Sequence, residues 1–328
     1  MFKGLRVLEQ ELIILSTILG VVKMNQCFES PPYRPPNEAL SLLLRLTRGC
    51  PWNRCGFCMM YRDMQFSIRG VEEVKEDIDN ASRLYGQEVR KVFIGDSDSL
   101  TMATDDLVRI LTYLHSSFPK LNRVTSYARI KTIIHKPLRE LKRICKSGLT
   151  RIHVGLESGS DRVLSLFKKG AGSEDMIAGA HKAMEAGLEL SEYVLIGMGG
   201  AEYSRVHAQE TARVLNCSQP DFIRIRTLVP LLGTAVAEMI ERGEFTPLGP
   251  LERLEETKEL IEGLRLESNL YSDHVSNYLQ TPARTSYQGV RGRLPGDKKD
   301  MLQELKRALS IFEKNPELVE RLILPNRL

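Results

Sequence analysis

Three cysteines stand within nine positions of one another, as Cys50-Pro-Trp-Asn-Arg-Cys55-Gly-Phe-Cys58, a C-x4-C-x2-C arrangement. Thiolate sulfur suits iron–sulfur clusters and zinc alike, so the number of ligands has to separate them. Three thiolates at this spacing can hold three irons of a cubane and leave the fourth iron open. Structural zinc closes a tetrahedron with four ligands, and no fourth Cys or His stands at a matching second knuckle. A zinc reading has to borrow a distant residue such as His153 or Cys217. The remaining cysteines, Cys27, Cys145 and Cys217, lie far apart, and six in 328 residues are too few for a disulfide scaffold. Free thiols of this kind point to a reducing compartment, hence a cytoplasmic protein.

Such a loop works only where a scaffold presents it. From Leu40 onward short β-rich runs alternate with amphipathic helical stretches, the pattern of parallel strands joined by crossover helices. The pattern predicts strands at Leu40–Leu46, Val89–Ile94, Arg123–Ser126, Arg151–Leu156, Leu190–Ile196 and Phe222–Thr227. Between them it predicts helices at Val71–Tyr85, Asp105–His115, Lys136–Lys146, Glu174–Ala186 and Ala201–Leu215. Six βα units make the expected fold an α/β partial barrel of TIM-like (βα)6 type. In such sheets functional groups collect on loops at the C-terminal strand ends, where the helices leave the edge free. The cysteine loop follows the first strand and belongs to that edge. Gly95 to Asp98 follow the second strand, Tyr127 and Arg129 the third, and Gly197-Met-Gly-Gly200 the fifth, while Glu157 follows the end of the fourth.

Residues 31–230 are therefore expected to form the barrel and 231–328 a mainly helical C-terminal region. Helices at Leu251–Leu266 and Asp297–Phe312 are separated there by a polar stretch from Ser272 to Pro295 that contains His274, Asn277 and Tyr278. Residues 1–30 form an N-terminal extension, expected to be poorly ordered. The prolines of Ser30–Pro36 (SPPYRPP) divide it from the barrel, because proline fixes φ and removes a donor. Its apolar run at 12–22 is too short to span a bilayer and lacks the basic start of a secretory signal. A composition 42% hydrophobic and 27% charged is that of a globular protein. The net charge of +4 gives no global field that would indicate nucleic acid.

The segment Leu44–Tyr61, LRLTRGCPWNRCGFCMMY, resembles the cluster-binding loop of the radical S-adenosylmethionine (SAM) superfamily. Most members show C-x3-C-x2-C, and this chain has one more residue between Cys50 and Cys55. The resemblance runs from about Pro32 to the C-terminus, and looks like a standalone subgroup with no settled substrate. It implies a 4Fe-4S cluster on Cys50, Cys55 and Cys58, whose open iron chelates SAM. An electron supplied by a reducing partner such as flavodoxin or ferredoxin then cleaves SAM to a 5′-deoxyadenosyl radical, which abstracts hydrogen from a substrate the sequence does not identify.

The same resemblance implies the cofactor contacts. Phe57 lies beside the adenine, and Gly95, Asp96, Ser97 and Asp98 take the place of a turn that receives the amino group of SAM. Glu157, in His153-Val-Gly-Leu-Glu157-Ser-Gly-Ser160, faces the ribose or the carboxylate, and Tyr127 and Arg129 stand at the barrel mouth. The motifs name no residue that touches the substrate. Arg224 and Arg226 alternate along one strand and could clamp a carboxylate or phosphate, or form salt bridges to neighbouring helices. The alternative function, from another class, is a cluster- or haem-handling binding protein on the same fold without turnover.

Overall fold

Runs of β-branched and leucine residues form the strands, and three- or four-residue apolar spacing forms the helices that cover them. In the computed structural model, residues 33–280, 285–315 and 317–320 are described. The extension 1–30, with its apolar run and Cys27, lies outside the described residues. Eight strands make one sheet in sequence order: β1 (Leu42–Arg45), β2 (Lys91–Gly95), β3 (Arg123–Tyr127), β4 (Arg151–Glu157), β5 (Glu189–Ile196), β6 (Phe222–Thr227), β7 (Ser268–Tyr271) and β8 (Arg291–Leu294). The first seven run parallel, with Leu44 opposite Ile94, Tyr127 opposite His153 and Tyr193 opposite Arg224. β8 is antiparallel to β7. The six strands expected from the pattern are all present, and the expected mainly helical region adds two more to the same sheet.

Helices α1 (Val71–Tyr85), α2 (Thr104–Ser117), α3 (Ile130–His135), α4 (Leu138–Lys146), α5 (Asp161–Leu166), α6 (Ser173–Glu185) and α7 (Gly200–Ser218) cross over between the strands. α8 (Ala235–Glu241), α9 (Pro250–Gly263) and α10 (Lys298–Lys314) follow. On α2 the buried apolar residues are Leu107, Ile110, Leu111 and Leu114, one stripe of an amphipathic helix. It packs on the face of the sheet that carries Val92, Ile94, Ile152, Val154, Leu190, Val194, Ile223 and Ile225. Leu270, Leu294, Met301, Leu305 and Phe312 belong to the same core, so the C-terminal strands and α10 share it with the rest.

Side chains alternate across a strand, so the opposite face is set by the intervening residues. That face is polar and aromatic: Tyr127 meets Phe93 edge-on at 5.1 Å, and His153 lies 6.0 Å from both Tyr127 and Tyr193. Arg226 lies over the Tyr193 ring at 4.8 Å. The helices cover the apolar face, and this second face lines the interior of the partial barrel. Its C-terminal rim carries the cysteine loop.

Candidate active site

Arg45, the last residue of β1, makes a two-pronged ion pair with Asp96 just after β2, with both side chains buried and the closest contact at 2.7 Å. The same Asp96 carboxylate accepts from the Gly49 backbone N–H at 3.0 Å, and Ser97 Oγ donates to the Gly49 carbonyl at 2.8 Å. Gly49 has φ +75° there, a conformation glycine adopts without a side-chain penalty. The turn after β2 thus grips the residue before Cys50. Further along, Trp52 Nε1 donates to the Lys168 carbonyl and the Gly56 N–H to the Phe167 carbonyl, both at 2.8 Å. Val236 N–H at the start of α8 donates to the Gly56 carbonyl, and Arg62 reaches back to the carbonyls of Cys55 and Cys58.

The loop rests on a second, smaller apolar cluster of Val163, Phe167, Met198, Leu228, Val236 and Phe245, against which the half-buried Phe57 packs. Cys50, Cys55 and Cys58 are free and partly buried. Burial pushes the Cys55 thiol up to about 11 against the pull of the Lys169 ammonium, and burial likewise raises Cys58. Among the described residues no three His, Cys, Asp or Glu side chains converge on the position of a single ion. A cubane asks only that each thiolate reach its own iron, and three free thiols on one short pinned loop fit that demand.

Facing the loop is an ion pair that the sequence reading did not assemble. Lys169 Nζ donates to Glu157 Oε1 at 2.8 Å, with side chains only 16% and 13% exposed. Burial would weaken the ammonium, but the Glu157 carboxylate and then the Cys55 sulfur favour it, and Lys169 is held above its ordinary value. It lies 5.9 Å from the Phe57 ring. Glu157 has φ 65° at an irregularity in the β4–β5 pairing. Its side chain folds back over Gly155, where a Cβ would stand 1.9 Å from Glu157 Oε1 and 2.8 Å from Lys169 Nζ. The turn beyond is fixed from below, since Gly159 N–H donates to Thr211 Oγ1 and Ser158 Oγ pairs with buried His207 Nδ1, both at 2.8 Å. Lys169 stands twelve residues after Glu157, beyond a six-residue helix. Its only trace in the sequence is the basic pair before Gly170.

The structure brings together Cys50, Cys55, Cys58, Phe57 and Glu157. Arg129 joins them at the rim, stacked over Trp52 at 5.3 Å. Tyr127 lies deeper, on the interior wall. The side chains of Asp96, Ser97 and Asp98 turn to protein partners, the last accepting from Thr132 Oγ1 at 2.5 Å, with its pKa pushed up to about 7 by burial. Gly95 gives its carbonyl to the Leu46 N–H. Asn277 is buried, donating to the carbonyls of Ile225 and Ser272 and accepting from Thr227 Oγ1, and so ties the 272–278 segment to the end of β6. Tyr278 donates to the Asp273 carbonyl of the same segment.

The sequence matches the family description "Radical SAM superfamily" over residues 44–213, just over half of the chain. It is 30% identical over 118 residues to a tRNA uridine(34) acetyltransferase of Methanocaldococcus infernus, and 27% identical over 118 residues to the Methanocaldococcus jannaschii protein of that name. Each match covers 36% of this chain and only 22% of the relative. Among solved structures, coproporphyrinogen III oxidase of Escherichia coli aligns with a TM-score of 0.53 at 16% identity, covering 68% of this chain and 51% of that one. This last likeness bears on the fold alone.

Proposed function

We propose, from the premise that this chain belongs to the radical SAM superfamily, that Cys50, Cys55 and Cys58 hold its cluster and that the rim beside them holds SAM for cleavage. It is an enzyme of that class, whose members use a 4Fe-4S cluster and SAM. Held on those three thiolates and reduced by one electron, a 4Fe-4S cluster would supply reductive cleavage of SAM and so the means of abstracting hydrogen from a substrate. The observation that carries the reading is the pinned loop of three free thiols facing the Lys169–Glu157 pair. Asp96 anchors the loop through Gly49, and the apolar cluster beneath Phe57 keeps water from one side of it. The Lys169 ammonium matches the carboxylate of SAM, and the Glu157 carboxylate can accept from a ribose hydroxyl. Phe57 offers a flat apolar surface to the adenine, and Arg129 with Trp52 borders the mouth.

The electron comes from a small reducing protein of the flavodoxin or ferredoxin kind, and free thiols at the site suit a cytoplasmic setting. Among the described residues no helix is long and apolar enough to cross a membrane. The two Methanocaldococcus relatives described above are named for tRNA, but this chain spans about a fifth of their length, and its weak net charge does not favour RNA.

The test is anaerobic reconstitution followed by reduction in the presence of SAM. We expect about four irons per chain, and 5′-deoxyadenosine and methionine formed one for one. Cys50→Ser, Cys55→Ser or Cys58→Ser should each abolish the iron, while Cys145→Ser and Cys217→Ser keep it. A fully loaded protein that yields no 5′-deoxyadenosine would instead be a cluster-handling binding protein.

A further inference from the structure

The interior wall carries more positive charge than its own acids balance. Arg151 is paired with Glu189 at 2.8 Å, and Lys169 with Glu157. Glu38, at the opposite, N-terminal end of the strands, accepts from Ser41 Oγ at 2.6 Å and lies 3.6 Å from His153. Arg224 and Arg226 meet no carboxylate among the described residues. Arg224 donates to Ser191 Oγ at 3.2 Å and lies over the Tyr271 ring at 5.0 Å, and Arg226 lies over Tyr193. Both are half-buried, where an uncompensated cation is costly.

Their neighbours respond to the surplus. Burial, against the pull of Glu38 and with the aid of Arg224, lowers His153 to about 4, and burial with Arg226 lowers His274 to about 4. Both rings stay neutral and supply no counter-charge. The Tyr193 hydroxyl is buried, and the Arg226 guanidinium lies close enough to donate to it. His274 Nδ1 accepts from the Ser276 N–H at 3.1 Å, which leaves its ring proton on Nε2.

We infer that Arg224 and Arg226, beside Tyr193 on the neighbouring strand, bind an oxyanion of the substrate, a carboxylate or a phosphate monoester, inside the barrel. Two residues apart on one strand, the guanidinium stems are about 6.6 Å apart and on one face, a spacing that an anion with two or three oxygens can bridge. Arg226 is one residue from the C-terminal end of β6 and Arg224 two deeper. An anion held there leaves the rest of the substrate pointing up toward the cysteine loop. Tyr193, His153 and Tyr127 continue the same wall from Arg226 across the interior. The inference names the substrate class of the radical-enzyme reading and rests on it.

Arginine labelling by phenylglyoxal on the cluster-loaded protein, mapped by mass spectrometry, tests it with inorganic phosphate and acetate as probes. One of the two should slow labelling of both Arg224 and Arg226 about tenfold when present at about ten times its dissociation constant. Arg205, 81% exposed, should label at an unchanged rate. Protection by phosphate at the lower concentration assigns a phosphate group, and by acetate a carboxylate. In Arg226→Gln the protection of Arg224 should disappear, and Arg226→Lys, which keeps the charge but not the fork, should restore part of it. A loaded wild-type protein whose two arginines label equally fast with either probe overturns the anion site alone. A wild-type protein that takes up no iron overturns the reading beneath it.

Discussion

Lys169 is the residue whose replacement separates a cofactor ligand from a structural counter-ion. Lys169→Met leaves the three thiols in place and removes one buried positive charge beside them. We expect SAM affinity to fall roughly ten- to a hundredfold with iron content retained, the scale of one charge-assisted hydrogen bond. An unchanged dissociation constant, measured by equilibrium titration, would confine Lys169 to pairing with Glu157. A second residue-scale expectation concerns Glu192, fully buried on the helix-covered side of β5, where Ser218 Oγ donates to one oxygen at 2.9 Å and the other has no partner. Burial raises it from 4.5 to about 7. A carboxyl whose folded pKa is raised contributes stability that is whole below pH 4.5 and is lost as pH rises through 7. Glu192→Gln should therefore flatten the fall in unfolding free energy between about pH 4.5 and 7, by an amount on the order of 1–3 kcal/mol. Parallel curves for variant and wild type would refute it.

At the scale of elements, the clamp on the cysteine loop is tightest where Gly170 meets Trp52. Gly170 has φ +77°, and a Cβ there would stand 2.5 Å from the indole ring. Gly170→Ala must displace Trp52 and with it the bond to the Lys168 carbonyl. Iron loss to a chelator should then speed up about tenfold, at a stability cost of about 1–3 kcal/mol, followed by bleaching of the cluster absorbance. A bleaching rate equal to wild type would show that the loop holds without the indole. The sequence was legible wherever periodicity had room to repeat. The strand at Phe222–Thr227 and the helix at Val71–Tyr85 were read to the residue, because six to fifteen positions of alternation or helical spacing leave little choice. α3, α5 and α8, of six or seven residues, are too short to show a period. β7 and β8, four residues each, escaped notice because serine, asparagine, arginine and glycine dominate them. The cysteine loop was readable from spacing. The Lys169–Glu157 contact was not, because a short helix folds the chain back between the two residues and only the tertiary turn brings them together. The resemblance that drew attention to Asp96 did not foresee its engagement by Arg45, which is a contact between two neighbouring strand ends.

Across the whole molecule the sheet divides two chemistries: aliphatic residues under the helices, and aromatic and cationic residues within. The first fold the chain; the second remain available to ligands. The cost of that division is concentrated at Glu157, held at φ 65° and paired in near-dry surroundings with Lys169. Changing either partner alone strands a buried charge, whereas Glu157→Gly together with Lys169→Met removes both charges and suits glycine to the left-handed backbone. The double variant should melt higher than either single variant and gain about 1–3 kcal/mol over wild type while losing SAM affinity, which calorimetry and titration on the four proteins would check. A mutational walk driven by heat resistance alone must therefore descend before it climbs, and that valley protects the pair from drifting away one substitution at a time.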